Sequence, residues 1–225
     1  MTVLDNPAWG ALRGAQARFA EVSGRAARYQ TDVSPFYALE DPDDPRAWAD
    51  MAAFVPPGGE FFVPIETHTP PPGWELVHKG GGVQMVGEHV YAAADPEAVV
   101  LGHGDLPEIR DLVRRTEPGP FLPRTIEMGT FVGFRRDGAL IAMAGERMRP
   151  PGYTEISLVC TDPAFRGQRL ATRLVETIIA DIRARGETPF LHAVATNTAA
   201  ISLYRAMGFT LRLDSIMSGY RRTDF

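Results

Sequence analysis

A single cysteine, Cys160, in 225 residues excludes an internal disulfide and any zinc site built from several cysteines, and it fits a reducing compartment. No uninterrupted apolar run approaches membrane-spanning length. Residues 1–10 lack a basic segment followed by an apolar stretch, so no signal peptide is expected. Positive charge is not in excess: 23 Lys and Arg stand against 28 Asp and Glu, a formal net charge of −5. That balance gives no electrostatic reason to expect nucleic acid, whose phosphates need a basic surface. The Arg-Arg pairs at 114–115, 135–136 and 221–222 are scattered and read as solvated positions. His68, His78, His89 and His103 show no ligand spacing, so no metal is expected. What remains reads as a soluble, cytoplasmic globular protein with no membrane partner. Its 44% hydrophobic and 23% charged residues are ordinary, and its length allows one large domain or two small ones.

The informative stretch runs from Glu155 to Phe209. Ile156, Leu158 and Cys160 alternate with Ser157, Val159 and Thr161, the period of a strand, which Asp162-Pro163 ends. Leu170, Leu174, Val175, Ile178, Ile179 and Ile182 then recur at helical spacing, and Arg185-Gly186 closes that helix. A second strand, Phe190 to Val194, leads to a short helix capped by Asn197 or Thr198 and stopped by Gly208. The junction at 166–171 carries the chemistry. The first turn of a helix has amide N–H groups without internal partners and the positive end of the peptide dipole. A pyrophosphate satisfies both where small residues such as Gly167 and Ala171 let it approach, and Arg166 and Arg169 add charge beside it.

The run Thr161-Asp162-Pro163-Ala164-Phe165-Arg166-Gly167-Gln168-Arg169-Leu170-Ala171 resembles the coenzyme A signature of the GNAT superfamily of N-acetyltransferases, Gln/Arg-x-x-Gly-x-Gly/Ala. Arg166 and Ala171 fit its ends, and Arg169 stands where the middle glycine is expected. Asn197 to Phe209 is similar to the second signature, Asn-x-x-Ala-x-x-Leu-Tyr-x-x-x-Gly-Phe, at every defined position. The resemblance implies acetyl-CoA as co-substrate. It implies that the turn Arg166, Gly167, Gln168, Arg169, Leu170, Ala171 and Thr172 cradles the pyrophosphate. It further implies that the backbone of Val159, Cys160 and Thr161 pairs with the pantetheine amides as an added strand, and that Asn197 and Tyr204 lie along that arm. The implied fold is an α/β (α+β) mixed sheet flanked by helices.

Elsewhere the signals are local. Asp105 and Glu108 have capping-box spacing before a helix with Leu106, Ile109, Leu112 and Val113, and Asp137-Gly138 marks a hairpin between strands at 131–136 and 139–145. The order of elements from 105 to 209 is similar to that of the GNAT fold, which divides the chain into residues 105–225, the acetyltransferase domain, and residues 1–104, an N-terminal α+β extension. That extension reads either as a degenerate GNAT-like half or as an unrelated addition. Within it a helix with Trp9, Leu12 and Phe19 on one side is expected, and another from Asp44-Pro45 to Val55. Strands are expected at 61–63, 74–77 and 84–86, with Gly80-Gly81-Gly82 as a hairpin turn.

Acyl transfer to an amine requires a neutral amine, a polarised carbonyl and a proton for the leaving thiolate. The family's tyrosine beside the thioester sulfur corresponds to Tyr204, a phenol able to give that proton. Two residues compete as base: Glu155, where several relatives place a carboxylate, and His192, near where the ribosomal-protein acetyltransferases place a glutamate. Glu155 is favoured slightly, as a group ordering a water that carries the proton away. Cys160, without a neighbouring base, reads as buried and inert. The leading reading is an N-acetyltransferase acting on a small amine or amino acid. The alternatives are a peptide N-terminal acetyltransferase and a non-catalytic acyl-CoA-binding module, and a homodimer stays open.

Overall fold

The structure, a computed structural model, describes residues 2–223. Short elements come first: α1 (Pro7–Leu12), β1 (Ala20–Ser23), β2 (Ala26–Tyr29), β3 (Tyr37–Leu39) and α2 (Pro45–Met51). Then follow β4 (Glu60–Glu66), β5 (Trp74–His78), β6 (Gly82–Val86), β7 (Val99–Val100) and α3 (Leu106–Thr116). The signature region supplies β8 (Phe131–Arg136), β9 (Ala139–Glu146), β10 (Tyr153–Thr161), α4 (Leu170–Ala184), β11 (Thr188–Val194), α5 (Thr198–Ala206) and β12 (Thr210–Arg222). β1–β3 form a small separate sheet. The other nine strands form one mixed sheet in the order β4-β12-β6-β11-β10-β9-β8-β7, with β5 also on β12. This is the mixed sheet flanked by helices that the resemblance implied.

The strand–helix–strand unit β10-α4-β11 makes the parallel crossover expected of its length. The six apolar residues of α4 are all buried against Val132, Phe134, Ile156 and Leu191. At about 2 kcal/mol per buried side chain this face contributes on the order of 10 kcal/mol gross, an upper figure because the unfolded chain already buries some of it. Two arginines on the rim hold residues 87–98 along the same helix. Arg173 pairs with Asp95 (2.6 Å) and Glu97 (2.5 Å), and Arg183 donates to the carbonyls of Gly87, Glu88 and Val90. The opposite side is covered in pieces. Ile109 and Leu112 of α3 pack on Phe131, Met143, Leu158 and Cys160. Residues of α1, β2 and β3 pack on Phe190 of β11.

Several local expectations change in the fold. The glycine run at 80–82 does not turn a hairpin. β5 pairs with Gly219–Arg222 and β6 with Thr210–Ile216, both antiparallel along β12, so the run is a break in one long path rather than a reversal. Gly80 and Gly81 take positive φ there (65° and 106°), which glycine allows at no steric cost. α1 ends at Leu12, and Phe19 belongs to a separate turn; α2 ends at Met51, short of Val55. The capping box at 105 does not form. Asp105 accepts from Gly102 N and, with Glu108, pairs with Arg135, so a cation outcompetes the helix's own amides. The Asp137-Gly138 hairpin is present, with φ of 51° and 84° as a type I′ turn demands. Residues upstream of 104 enter the main sheet directly: β6 lies between β11 and β12.

Candidate active site

β10 and β11 are paired only from Tyr153–Thr188 to Ile156–Leu191. Beyond that point they part. β10 bulges between Ser157 and Cys160 on its β9 side, with Leu158 at φ 54°, while β11 follows β6 as far as Val194. The bulge bends β10 away and leaves a fork whose inner edge on β10, at Val159, Cys160 and Thr161, has no strand partner. An extended amide-bearing chain fits such an edge by strand addition. Thr161 adds a buried hydroxyl without a partner at the same end of β10.

The fork leads to the turn before α4. Amide N–H groups of residues 167–172 find no backbone acceptor among the described residues, and the first paired one is that of Arg173, onto the Arg169 carbonyl (3.1 Å). Arg166, Gly167, Gln168 and Arg169 are exposed, while Leu170 and Thr172 are buried and Ala171 is half-buried. An array of free N–H groups at a helix N-terminus, flanked by exposed guanidiniums, suits a pyrophosphate. Gly167 has φ 79° with nothing near its absent Cβ, so its backbone conformation, not space, calls for glycine. Arg169 occupies φ 58°, ψ 18°, the left-handed region. The loop therefore keeps the conformation for which the signature uses a glycine, and an arginine bears the strain. Arg169→Gly is expected to relieve about 0.5–1 kcal/mol and raise the melting temperature by about 1–4 °C. Calorimetry showing no rise would place the strain elsewhere.

Two other signature residues sit on α5. Asn197 Oδ1 accepts from Ala200 N (3.1 Å) as the cap of that helix. Tyr204 is 7% exposed, in the apolar cluster that includes Ile156, Leu170 and Leu191. Burial pushes its phenol up to about 12, so it stays protonated and able to donate.

Glu155 and His192 lie on the opposite face of the sheet, with Phe190. Far from being alternatives, they are one hydrogen-bonded pair: His192 Nδ1 is 2.7 Å from Glu155 Oε1. The other partner of Glu155 is Arg147, which forks onto both carboxylate oxygens (2.8 and 2.5 Å), with Met148 N donating as well (3.2 Å). Burial of Glu155 is complete and by itself raises its pKa, yet Arg147 and His192 outweigh that and bring it down to about 2. A carboxylate with so little proton affinity, sealed behind a guanidinium, is unsuited to accept a proton or order a water in the cleft. His192 closes on its far side against Gln84 Nε2, 3.0 Å from its own Nε2. Arg147 and Gln84 carry no motif, and only strand register places them here. Tyr204 makes no hydrogen bond to either residue of the pair; the fork lies between the two faces. Cys160 is buried, and burial pushes its thiol up further than the Thr116 hydroxyl, the Met143 backbone and the Arg115 charge bring it down.

Cavities of about 330 Å³, lined by Ala94, Val132, Thr177 and Asp181 among others, and about 250 Å³, beside Asp5, Asn6, Glu66 and His68, include no residue of the fork. The fork itself is a separation of two strands. No group of three or more potential metal-ligating side chains occurs among the described residues, and no helix there is long and apolar enough to cross a membrane.

The family model described as FR47-like protein matches residues 131–218, which span the fork and both signatures. The crystal structure of a Novosphingobium aromaticivorans protein designated an acetyltransferase from the GNAT family is 38% identical, with full coverage of both chains and a TM-score of 0.89. A GCN5-related N-acetyltransferase from Kribbella flavida shares the fold at 17% identity, covering 96% of each chain with a TM-score of 0.60. Among curated proteins, N-alpha-acetyltransferase RimI of Mycobacterium tuberculosis is 37% identical over 82 residues, 35% of this chain. The chain spans about half the length of that relative, 51%.

Proposed function

This chain belongs to the GNAT superfamily of N-acetyltransferases, and on that premise we propose that it transfers an acetyl group from acetyl-CoA to a small amine or amino acid by direct attack. The observation that carries the donor assignment is the continuity of the unpaired β10 edge with the turn of free amides beside Arg166 and Arg169. In this reading Val159, Cys160 and Thr161 hold the pantetheine arm through their backbone, and residues 166–172 hold the pyrophosphate. Asn197 lines the arm while capping α5. Acetyl-CoA is the acyl donor, with the thiol as leaving group. Tyr204 donates a hydrogen bond to the developing thiolate from the α4 side. On the other side, the amine displaces the Gln84 amide N–H from His192 Nε2, which takes the amine's proton. Glu155 steadies the positive ring that results, a positioning role rather than that of the base.

Coverage of the Glu155–His192 face by α1 and β1–β3 supports a small acceptor, with residues 1–104 as the wall of its cleft. The 37% match to an N-alpha-acetyltransferase favours a second reading, acetylation of a peptide N-terminus. A panel of amines, amino acids and peptides, assayed for thiol release from acetyl-CoA, separates the two. Turnover of peptides alone overturns the first reading. Binding of acetyl-CoA without turnover of any acceptor leaves a binding module.

The donor site has its own test. A ligand bound only to the folded state stabilises it, by about 2.7 kcal/mol at a hundredfold excess over Kd. Millimolar acetyl-CoA is therefore expected to raise the melting temperature, and Gly167→Glu to abolish that rise by placing an anion at the pyrophosphate. No rise in the wild type would count against the whole assignment.

A further inference from the structure

We propose that Gln84, on the upstream strand β6, is a positioning residue that fixes His192 in its Nδ1–H tautomer, its amide N–H standing at Nε2 where the acceptor amine must displace it. The inference rests on the reading of His192 as the base.

A carboxamide can show a ring nitrogen either its N–H or its carbonyl, and its other contacts decide which. Gln84 Oε1 accepts from Arg212 Nη1 (2.8 Å), a group with donors only. Gln84 Nε2 donates to the carbonyl of Leu4 (2.9 Å), an acceptor only. Flipping the amide would set N–H groups against a guanidinium and carbonyl against carbonyl, so the orientation is locked from both ends. The second N–H of Gln84 then faces His192 Nε2 (3.0 Å), which must accept it. The neutral ring that accepts at Nε2 carries its proton on Nδ1, and there the Glu155 carboxylate accepts (2.7 Å). Every contact in the chain agrees with one tautomer. Arg212 is anchored by Asp5 and by Thr2 Oγ1 (2.6 Å), so the first turn of the chain is the outer end of the same network.

The charged groups around the ring pull in opposite directions. Glu155 from β10 favours an imidazolium, tempered by Arg147 behind it; Arg212 from β12 stands behind Gln84, and Tyr29 from β2 bears on Glu155. The ring of Phe190 presents an apolar edge, 5.5 Å between centroids. Gln84 opposes the imidazolium, since a proton on Nε2 would point at the amide's own N–H. An ammonium N–H of the acceptor makes the same contact to Nε2 as the amide does and, unlike the amide, can release its proton.

Long-range ¹H–¹⁵N spectra of ¹⁵N-histidine-labelled protein read the tautomer without any substrate. The wild type is expected to show His192 protonated at Nδ1 and bare at Nε2 near neutral pH; an Nε2–H ring or an imidazolium there overturns the inference. Gln84→Glu, whose carboxylate accepts where the amide donates, and Arg212→Met, which frees the amide to flip, are each expected to bring up an Nε2–H signal from His192. Nε2 still bare in both folded variants also overturns it. His192→Gln, assayed with the amine of highest turnover in the panel, tests the underlying reading separately. An unchanged rate there removes His192 as base while the spectra still decide the tautomer.

Discussion

Glu155→Gln is expected to cost about 3–5 kcal/mol of folding stability, the penalty for leaving a buried guanidinium without its counter-charge. Arg147 would be that orphan: its side chain is 11% exposed, its head lies over Phe36 at 4.9 Å, and Glu155 satisfies it on both oxygens. For a chain of this size the melting temperature should fall by roughly 10 °C or more. Pairing Glu155→Gln with Arg147→Met should recover much of the loss, since a well-packed apolar replacement of a buried pair is often neutral. The pH dependence has a definite sign. The folded pKa of about 2 lies below the reference value of 4.5, so the contribution of Glu155 is complete above about 4.5 and drains away as the pH falls toward 2. A variant that melts like the wild type but turns over slowly would instead restore Glu155 as the base.

The case of Glu155 shows where a sequence stops informing. The apolar spacing of α4 and the glycines after α4 and α5 are local signals, and those elements form as indicated. The strand from Ile156 to Thr161 forms too, but its bulge at Leu158 turns Leu158 and Cys160 toward α3 while Ile156 and Val159 face α4. Whether Glu155 and His192 meet is a matter of register between strands 37 residues apart, and nothing local to either position encodes it. The same limit explains the glycine run at 80–82. Its composition suits a reversal or a break equally, and the choice depends on β12, more than 120 residues downstream. That strand was itself illegible, because irregular pairing at Leu211/Leu213, Asp214/Ile216 and Ile216/Ser218 destroys the period of two. Asp105 failed as a cap for a related reason: Arg135 reaches it from the hairpin across the sheet. At Arg169 the departure from the signature was visible as chemistry, but its backbone consequence needed the φ angle.

Tyr204→Phe is expected to lower turnover about a hundredfold while leaving acetyl-CoA binding in place, the effect of removing one preorganised donor from a developing anion. Magnitudes decide between donation and full proton transfer. A phenol pushed up to about 12 is a weaker acid than an alkyl thiol, so full transfer of its proton to the leaving thiolate runs uphill. Complete transfer from Tyr204 would therefore slow the reaction, whereas a hydrogen bond that strengthens as charge moves onto sulfur lowers the barrier at no such cost. Loss of the hydroxyl removes little packing, because the ring stays in the cluster that includes Leu170 and Leu191 and keeps its edge contact with Phe209, 5.9 Å between centroids. The melting temperature and its rise with acetyl-CoA should accordingly survive the change. A shared proton predicts that the remaining activity of Tyr204→Phe recovers when the leaving group needs less help, so a thioester of a more acidic thiol should narrow the gap to wild type. Single-turnover measurements, in which product release cannot mask the chemical step, give the clearest reading. Equal rates for the two proteins under those conditions would reduce Tyr204 to a packing residue of α5.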